Sequence, residues 1–138
     1  MKRFFLSTFI LSLAAFTSIN AKVVRNYSSQ SNGNLTFAVD SIDYRKDLTR
    51  VYGRLLGRPH TSNRIDGIVF MGTGISLTST DIDGVDFRRY FQWEEDKTIP
   101  VEIDFPAMKS HKSARLIFDT PYGKSTTVVT VTNPAKHK

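Results

Sequence analysis

The sequence predicts an all-β protein, a single antiparallel β-sandwich of immunoglobulin-like build with about seven or eight strands. Three observations lead there. Apolar residues alternate with polar ones over short runs, the period-two pattern of a half-buried strand. Turn-forming residues return about every 8–12 positions between those runs. And 126–132 is β-branched throughout, which suits the pleated surface of a sheet.

The runs can be taken in chain order. Leu35, Phe37 and Val39 alternate with Thr36, Ala38 and Asp40, and then the apolar phase shifts to Ile42 and Tyr44. A phase change inside one strand signals a bulge or bend. Val51 and Leu55 alternate with Arg50, Tyr52 and Arg54. Ile68 to Met71 is continuously apolar and reads as a strand covered on both faces. Ile75 and Leu77 open another alternating run. Ile99, Val101, Ile103 and Phe105 give the clearest alternation, which places Val101 and Ile103 inward and Glu102 and Asp104 on the other side. Leu116 and Phe118 mark a further strand. Gly57-Arg58-Pro59, Asp66-Gly67, Gly72-Thr73-Gly74, Asp83-Gly84, Phe105-Pro106 and Pro121-Tyr122-Gly123 punctuate the pattern. Val85 to Trp93 fits both a strand and one face of a short helix.

The start of the chain reads as a signal peptide, residues 1–21. Lys2 and Arg3 precede an apolar stretch, Phe4 to Phe16, that is too short to span a bilayer. Ala21 ends it with a small residue suited to cleavage. Of the 138 residues, 117 then remain, enough for one domain with its own core. Residues 22–34 read as a flexible lead-in with a short edge strand at its start, 35–133 as the sandwich, and 134–138 as a frayed tail. No later run reaches spanning length, so the expectation is an exported, periplasmic or secreted domain with no transmembrane segment. The chain has no cysteine, which excludes disulfides, thiol nucleophiles and zinc–thiolate sites. Loss of Lys2 and Arg3 lowers the formal charge from +6 to +4, too modest to indicate nucleic acid.

The signal peptide, the early strand Leu35 to Tyr44, the strand Val51 to Gly57 and the late strand Ile99 to Pro106 together resemble the uncharacterised secreted immunoglobulin-like β-sandwich proteins of bacteria. That resemblance implies a sandwich and an extracytoplasmic setting. It carries no catalytic residues and names no ligand. The antibody-type Cys…Trp…Cys pattern is absent.

Four features bear on function. Arg50, Tyr52 and Arg54, with Arg58 beyond them, fall at even spacing and so share one side of an extended strand. They are candidate ligand-binding residues for an anionic surface polymer or another envelope protein. Glu102 and Asp104 have matching spacing and are the expected cross-strand partners if that face is merely solvated. Asp81, Asp83 and Asp86 put three carboxylates around Gly84, a partial calcium-loop pattern. The missing ligands point instead to solvated acids neutralised by Arg88 or Arg89, and no cofactor is implied. The aromatics Phe87, Tyr90, Phe91 and Trp93 read as core before they read as a sugar platform. The histidines sit in no catalytic motif.

The leading expectation is therefore a non-enzymatic extracytoplasmic binding module. A small hydrolase using carboxylates near 81–86, or Glu94 and Glu95, is the first alternative; two carboxylates facing each other across a cleft would favour it. A structural subunit that pairs through an uncovered edge, such as 126–132, is the second.

Overall fold

The computed structural model describes residues 21–132. The signal-peptide segment up to residue 20 and the tail from 133 lie outside the described residues.

Every described element is a strand: β1 (Lys22–Val24), β2 (Tyr27–Asn32), β3 (Thr36–Tyr44), β4 (Leu48–Leu56), β5 (Ser62–Arg64), β6 (Gly67–Gly72), β7 (Ile75–Thr78), β8 (Asp81–Asp83), β9 (Tyr90–Gln92), β10 (Thr98–Pro106), β11 (Ser113–Thr120) and β12 (Gly123–Val131). They form an antiparallel sandwich. One sheet runs β1-β3-β4-β10-β8 and the other β2-β12-β11-β6-β7, with β5 and β9 as a separate ribbon. In immunoglobulin lettering β12, β11, β6 and β7 follow the order G-F-C-C′ in the second sheet, and β1, β3, β10 and β8 follow A-B-E-D in the first, with β4 as an extra strand between β3 and β10.

Among the described residues there are twelve strands rather than seven or eight; the chain's path at the two edges accounts for two of the extra strands and the β5–β9 ribbon for two more. At both edges of the sandwich a strand starts in one sheet and finishes in the other. β1 lies in the first sheet and β2 in the second, with the crossing at Arg25 and Asn26. β7 lies in the second and β8 in the first, with the crossing at Ser79 and Thr80. The Ser79 amide still donates to Ile68 O in one sheet while the Thr80 amide donates to Asp104 O in the other. Sheet-switching edge strands of this kind shorten the exposed edges, which are the places where sheets aggregate.

The core is the interleaved inner faces of the two sheets. Phe37, Ile42, Val51, Leu55, Val101, Ile103 and Phe105 meet Ile68, Phe70, Leu116, Phe118 and Val129, all buried. Phe37 packs on Phe118 at a centroid distance of 5.3 Å, and Phe70 on Phe105 at 5.6 Å. The inward position of β4 between Val51 and Leu55 is Gly53. A Cβ there would come within 2.3 Å of Phe37 Cζ, so the absence of a side chain makes room for that ring. The phase shift read in β3 is a bulge between Val39 and Ser41, which leaves Asp40 outside the ladder with β4.

Four expectations need correction. The lead-in is mostly strand: β2 pairs with β12 from Asn32↔Thr126 to Tyr27↔Val131. Its polar composition hid it, because two of its three inward residues are serines, the third being Tyr27. The Ser29 and Ser31 hydroxyls accept the Val39 and Phe37 amides at 2.9 and 3.0 Å, and Ser125 Oγ accepts the Leu35 amide at 3.1 Å. These bonds satisfy the part of β3 that β1 does not cover. Ile68 to Met71 is not covered on both faces, since Val69 and Met71 remain half-buried on the outer side. Val85 to Trp93 is neither one strand nor a helix; only Tyr90–Gln92 is strand, preceded by a turn with Arg88 at φ 63°. And 126–132 is not an edge: β12 lies between β2 and β11, so it offers no free ladder for strand addition.

Candidate functional site

The expected basic row splits in two. Arg50, Tyr52 and Arg54 do share the outer face of β4, opposite the buried Val51 and Leu55. Arg58 lies beyond the end of β4, in the turn before β5.

The cations on the strand are already occupied. Arg50 and Asp104 sit in register across β4 and β10, and their fork-to-fork pair measures 2.7 Å from Nε to Oδ1 and 3.0 Å from Nη2 to Oδ2. That bond raises the Arg50 pKa above the ordinary guanidinium value. Arg54 pairs with Asp40, the bulge residue, at 2.9 Å. Asp43 is also in register with Arg50. The outer face of this sheet is thus a mixed lattice of charge rather than a basic stripe.

Asp81 and Asp83 flank the buried Ile82 on β8, and they register with Asp104 and Glu102 of β10. Together with Arg50 these four carboxylates line a shallow depression of about 200 Å³. Asp86 is not part of it, because Gly84, at φ 104°, turns the chain away over the Pro100 carbonyl. Among the described residues no three His, Asp or Glu side chains are placed to hold a metal ion. Arg88 and Arg89 form no ion pair with these acids. Arg88 instead lies close enough to Asp66 to help hold its carboxyl below the usual range, behind the larger effect of the Arg64 hydrogen bond.

A carboxyl that acts as general acid near neutral pH has its pKa raised, commonly by burial. Asp81, Asp83, Glu94 and Glu95 are all exposed, and Asp104 is tied to Arg50. Trp93 is core: it is 4% exposed, with Nε1 donating to Leu55 O at 2.9 Å, and Phe87 and Phe91 are half-buried against the core; Tyr90 is not core, since it is 59% exposed with the Arg64 guanidinium 5.3 Å over its ring.

Cations without ion-pair partners collect at one end of the sandwich. β1 begins there, β12 ends there, and the β10–β11 loop passes between them. Lys22, Arg25 and Lys112 line a groove of about 400 Å³ with Val23, Ser110 and His111. None of the three cations is in an ion pair among the described residues. Exposed Lys109 lies in the same loop, and Lys46 lies in the turn after Tyr44, the register partner of Lys22.

The floor beside this groove is cross-linked by hydrogen bonds. Tyr27 and Tyr44 share a 2.6 Å hydrogen bond between their hydroxyls. Tyr27 Oη also donates to His111 O at 2.6 Å, and the His111 amide meets Tyr44 Oη at 3.3 Å. Burial, first, raises both tyrosine pKa values, so both stay neutral donors. The His111 ring stacks edge-on against Phe70 and fills the space left by Gly72. The loop carrying Lys112 is therefore held in place from beneath.

Sequence reasoning missed this groove. Lys22 and Lys112 are 90 positions apart, and no local spacing connects them. Only the pairing of β1 with β3 and of β2 with β12 brings them together.

No protein family, curated protein or solved structure matches the chain.

Proposed function

We propose that the chain is an exported, non-enzymatic binding module that holds an anionic ligand in the groove of Lys22, Arg25 and Lys112. The observation that carries this reading is the contrast in pairing. The arginines of β4 are neutralised by Asp104 and Asp40, whereas the groove cations converge with no carboxylate among them. Like charges held together cost free energy, and an anion spanning them relieves it.

The ligand class is an anionic surface polymer or an acidic segment of another envelope protein. Cleavage after Ala21 would strengthen the site, because the new α-amino group would sit on Lys22 itself. No helix of the described residues is long and apolar enough to cross a membrane.

Calorimetric titration with dextran sulfate tests the reading. Binding should weaken steeply between low and high salt. The triple variant Lys22→Gln/Arg25→Gln/Lys112→Gln should lose at least tenfold in affinity, and Arg54→Gln should leave it unchanged. Equal losses in the two variants would refute the assignment.

A further inference from the structure

We propose a second binding site, for a neutral saccharide, in the groove at the opposite end of the sandwich. β4 and β11 both run from the end that carries the basic groove to this one. β4 delivers Arg58 just past its last residue, and β11 delivers Tyr122 in the turn to β12. The groove measures about 370 Å³ and is lined by Asn34, Arg58, Ser62, Asn63, Trp93 and Tyr122 among others. That volume lies within the range of small-molecule sites.

The chemistry is that of pyranose recognition. A sugar ring presents one apolar C–H face and a rim of hydroxyls. Tyr122 offers the complement to the face, since it is 64% exposed, the most exposed large hydrophobic residue described. Its backbone is also held in the turn: the Tyr122 amide donates to Thr120 Oγ1 at 3.1 Å, and Thr120 Oγ1 donates to Gly123 O at 2.7 Å. An exposed aromatic on a fixed turn supplies contact area at small entropic cost.

The rim has its partners too. Asn63 is 3% exposed and donates from Nδ2 to Asn34 Oδ1 at 3.1 Å, while its own Oδ1 accepts the Arg64 amide at 2.8 Å. Asn34 Oδ1 is thereby fixed, and Asn34 Nδ2 has no hydrogen-bond partner among the described residues. The Arg58 guanidinium likewise has no ion-pair or hydrogen-bond partner among the described residues. A planar donor fork and an amide suit vicinal hydroxyls. Trp93 closes the floor, with Gly57 pressed so closely on its indole that a Cβ would come within 2.3 Å of Cδ2.

Neutral sugars fit better than acidic ones. Glu94, Glu95 and Asp96 directly follow Trp93, are all exposed, and outnumber Arg58, the cation that lines the groove, so the net field there opposes an acidic sugar. This site shares no residue with the basic groove, and its test is independent of that reading.

The experiment is an amide-shift titration of the purified protein with the methyl glycosides of glucose, galactose, mannose and N-acetylglucosamine, with glucuronate as the acidic control. Trp93 is the single tryptophan, so its fluorescence gives a second readout. At least one neutral glycoside should shift the amides of Asn34, Arg58 to Asn63 and Tyr122 saturably, at roughly millimolar concentration. Tyr122→Ala should weaken that binding about tenfold, and Arg58→Gln should weaken it while leaving the apo spectrum dispersed. The proposal is overturned if none of the four glycosides shifts these amides, if glucuronate alone does so, or if both variants bind as the wild type does.

Discussion

Arg50 and Asp104 close a two-point pair across β4 and β10, with side chains 27% and 13% exposed, in the middle of the outer sheet face. On the other flank of β10 the register partner of Asp104 is Asp81, whose charge has the same sign, so Arg50 offsets a like-charge pairing. The Arg50–Asp104 pair gives this face structural cohesion and removes Arg50 from the cations available to a ligand.

Arg50→Ala should therefore cost about 1–3 kcal/mol, since it leaves Asp104 half-buried beside another carboxylate. Arg54→Ala, which breaks the exposed pair with Asp40, should cost about 0–1 kcal/mol. Urea unfolding of the two variants decides it, and equal costs would mean that the β4–β10 pair is only decorative.

Ile103 is fully buried and Glu102 lies on the outer face, one position away. Ile103→Ala should cost about 2–5 kcal/mol, the range for deleting a buried aliphatic side chain. Glu102→Ala should fall within about ±0.5 kcal/mol. Similar midpoint shifts for both would contradict the register of β10.

The inward face of β10 is legible in the sequence because a clean two-residue period leaves only one choice of it. The same was true of β3, whose phase shift between Val39 and Ile42 is the observed bulge. β2 escaped notice because two of its three inward residues, Ser29 and Ser31, are polar, which leaves Tyr27 as a lone apolar position with no period. The serines face inward because the amides of β3 need acceptors there. The functional surface was less legible still. Even spacing correctly put Arg50, Tyr52 and Arg54 on one face, but it could not reveal that Asp104 and Asp40 would occupy the arginines. Nor could it bring Lys22 beside Lys112, which depends on the pairing of distant strands.

Ser31→Ala tests the role given to β2. It removes the acceptor of the Phe37 amide at a part-buried site and the 2.8 Å contact with Thr127 Oγ1. The expected loss is about 1–3 kcal/mol. Ser28→Ala, on the exposed face of the same strand, should be near neutral. A neutral Ser31→Ala would show that water serves β3 equally well.

The Tyr27–Tyr44 pair predicts an alkaline limit. Both groups have raised pKa values in the folded state, so the unfolded chain releases these protons first. Their contribution is present below the ordinary tyrosine value of about 10 and is lost as pH rises above it. Tyr27→Phe should be less stable at pH 8 by about 1–3 kcal/mol, through the loss of its bonds to His111 O and Tyr44. It should also show a shallower fall in melting temperature between pH 9 and 11 than the wild type. Parallel curves would show that the pair does not set the limit.

The most direct test of the central claim is to map where an anion binds. Amide shifts of the purified protein should be followed during titration with a short dextran sulfate, at low and at high salt. The account predicts that the largest shifts fall at Lys22 to Asn26, at Ser110 to Lys112 and at Val131, and that they collapse as salt screens the groove. Shifts centred instead on Arg50 to Arg54 of β4, or spread evenly over every exposed lysine and arginine, would contradict it.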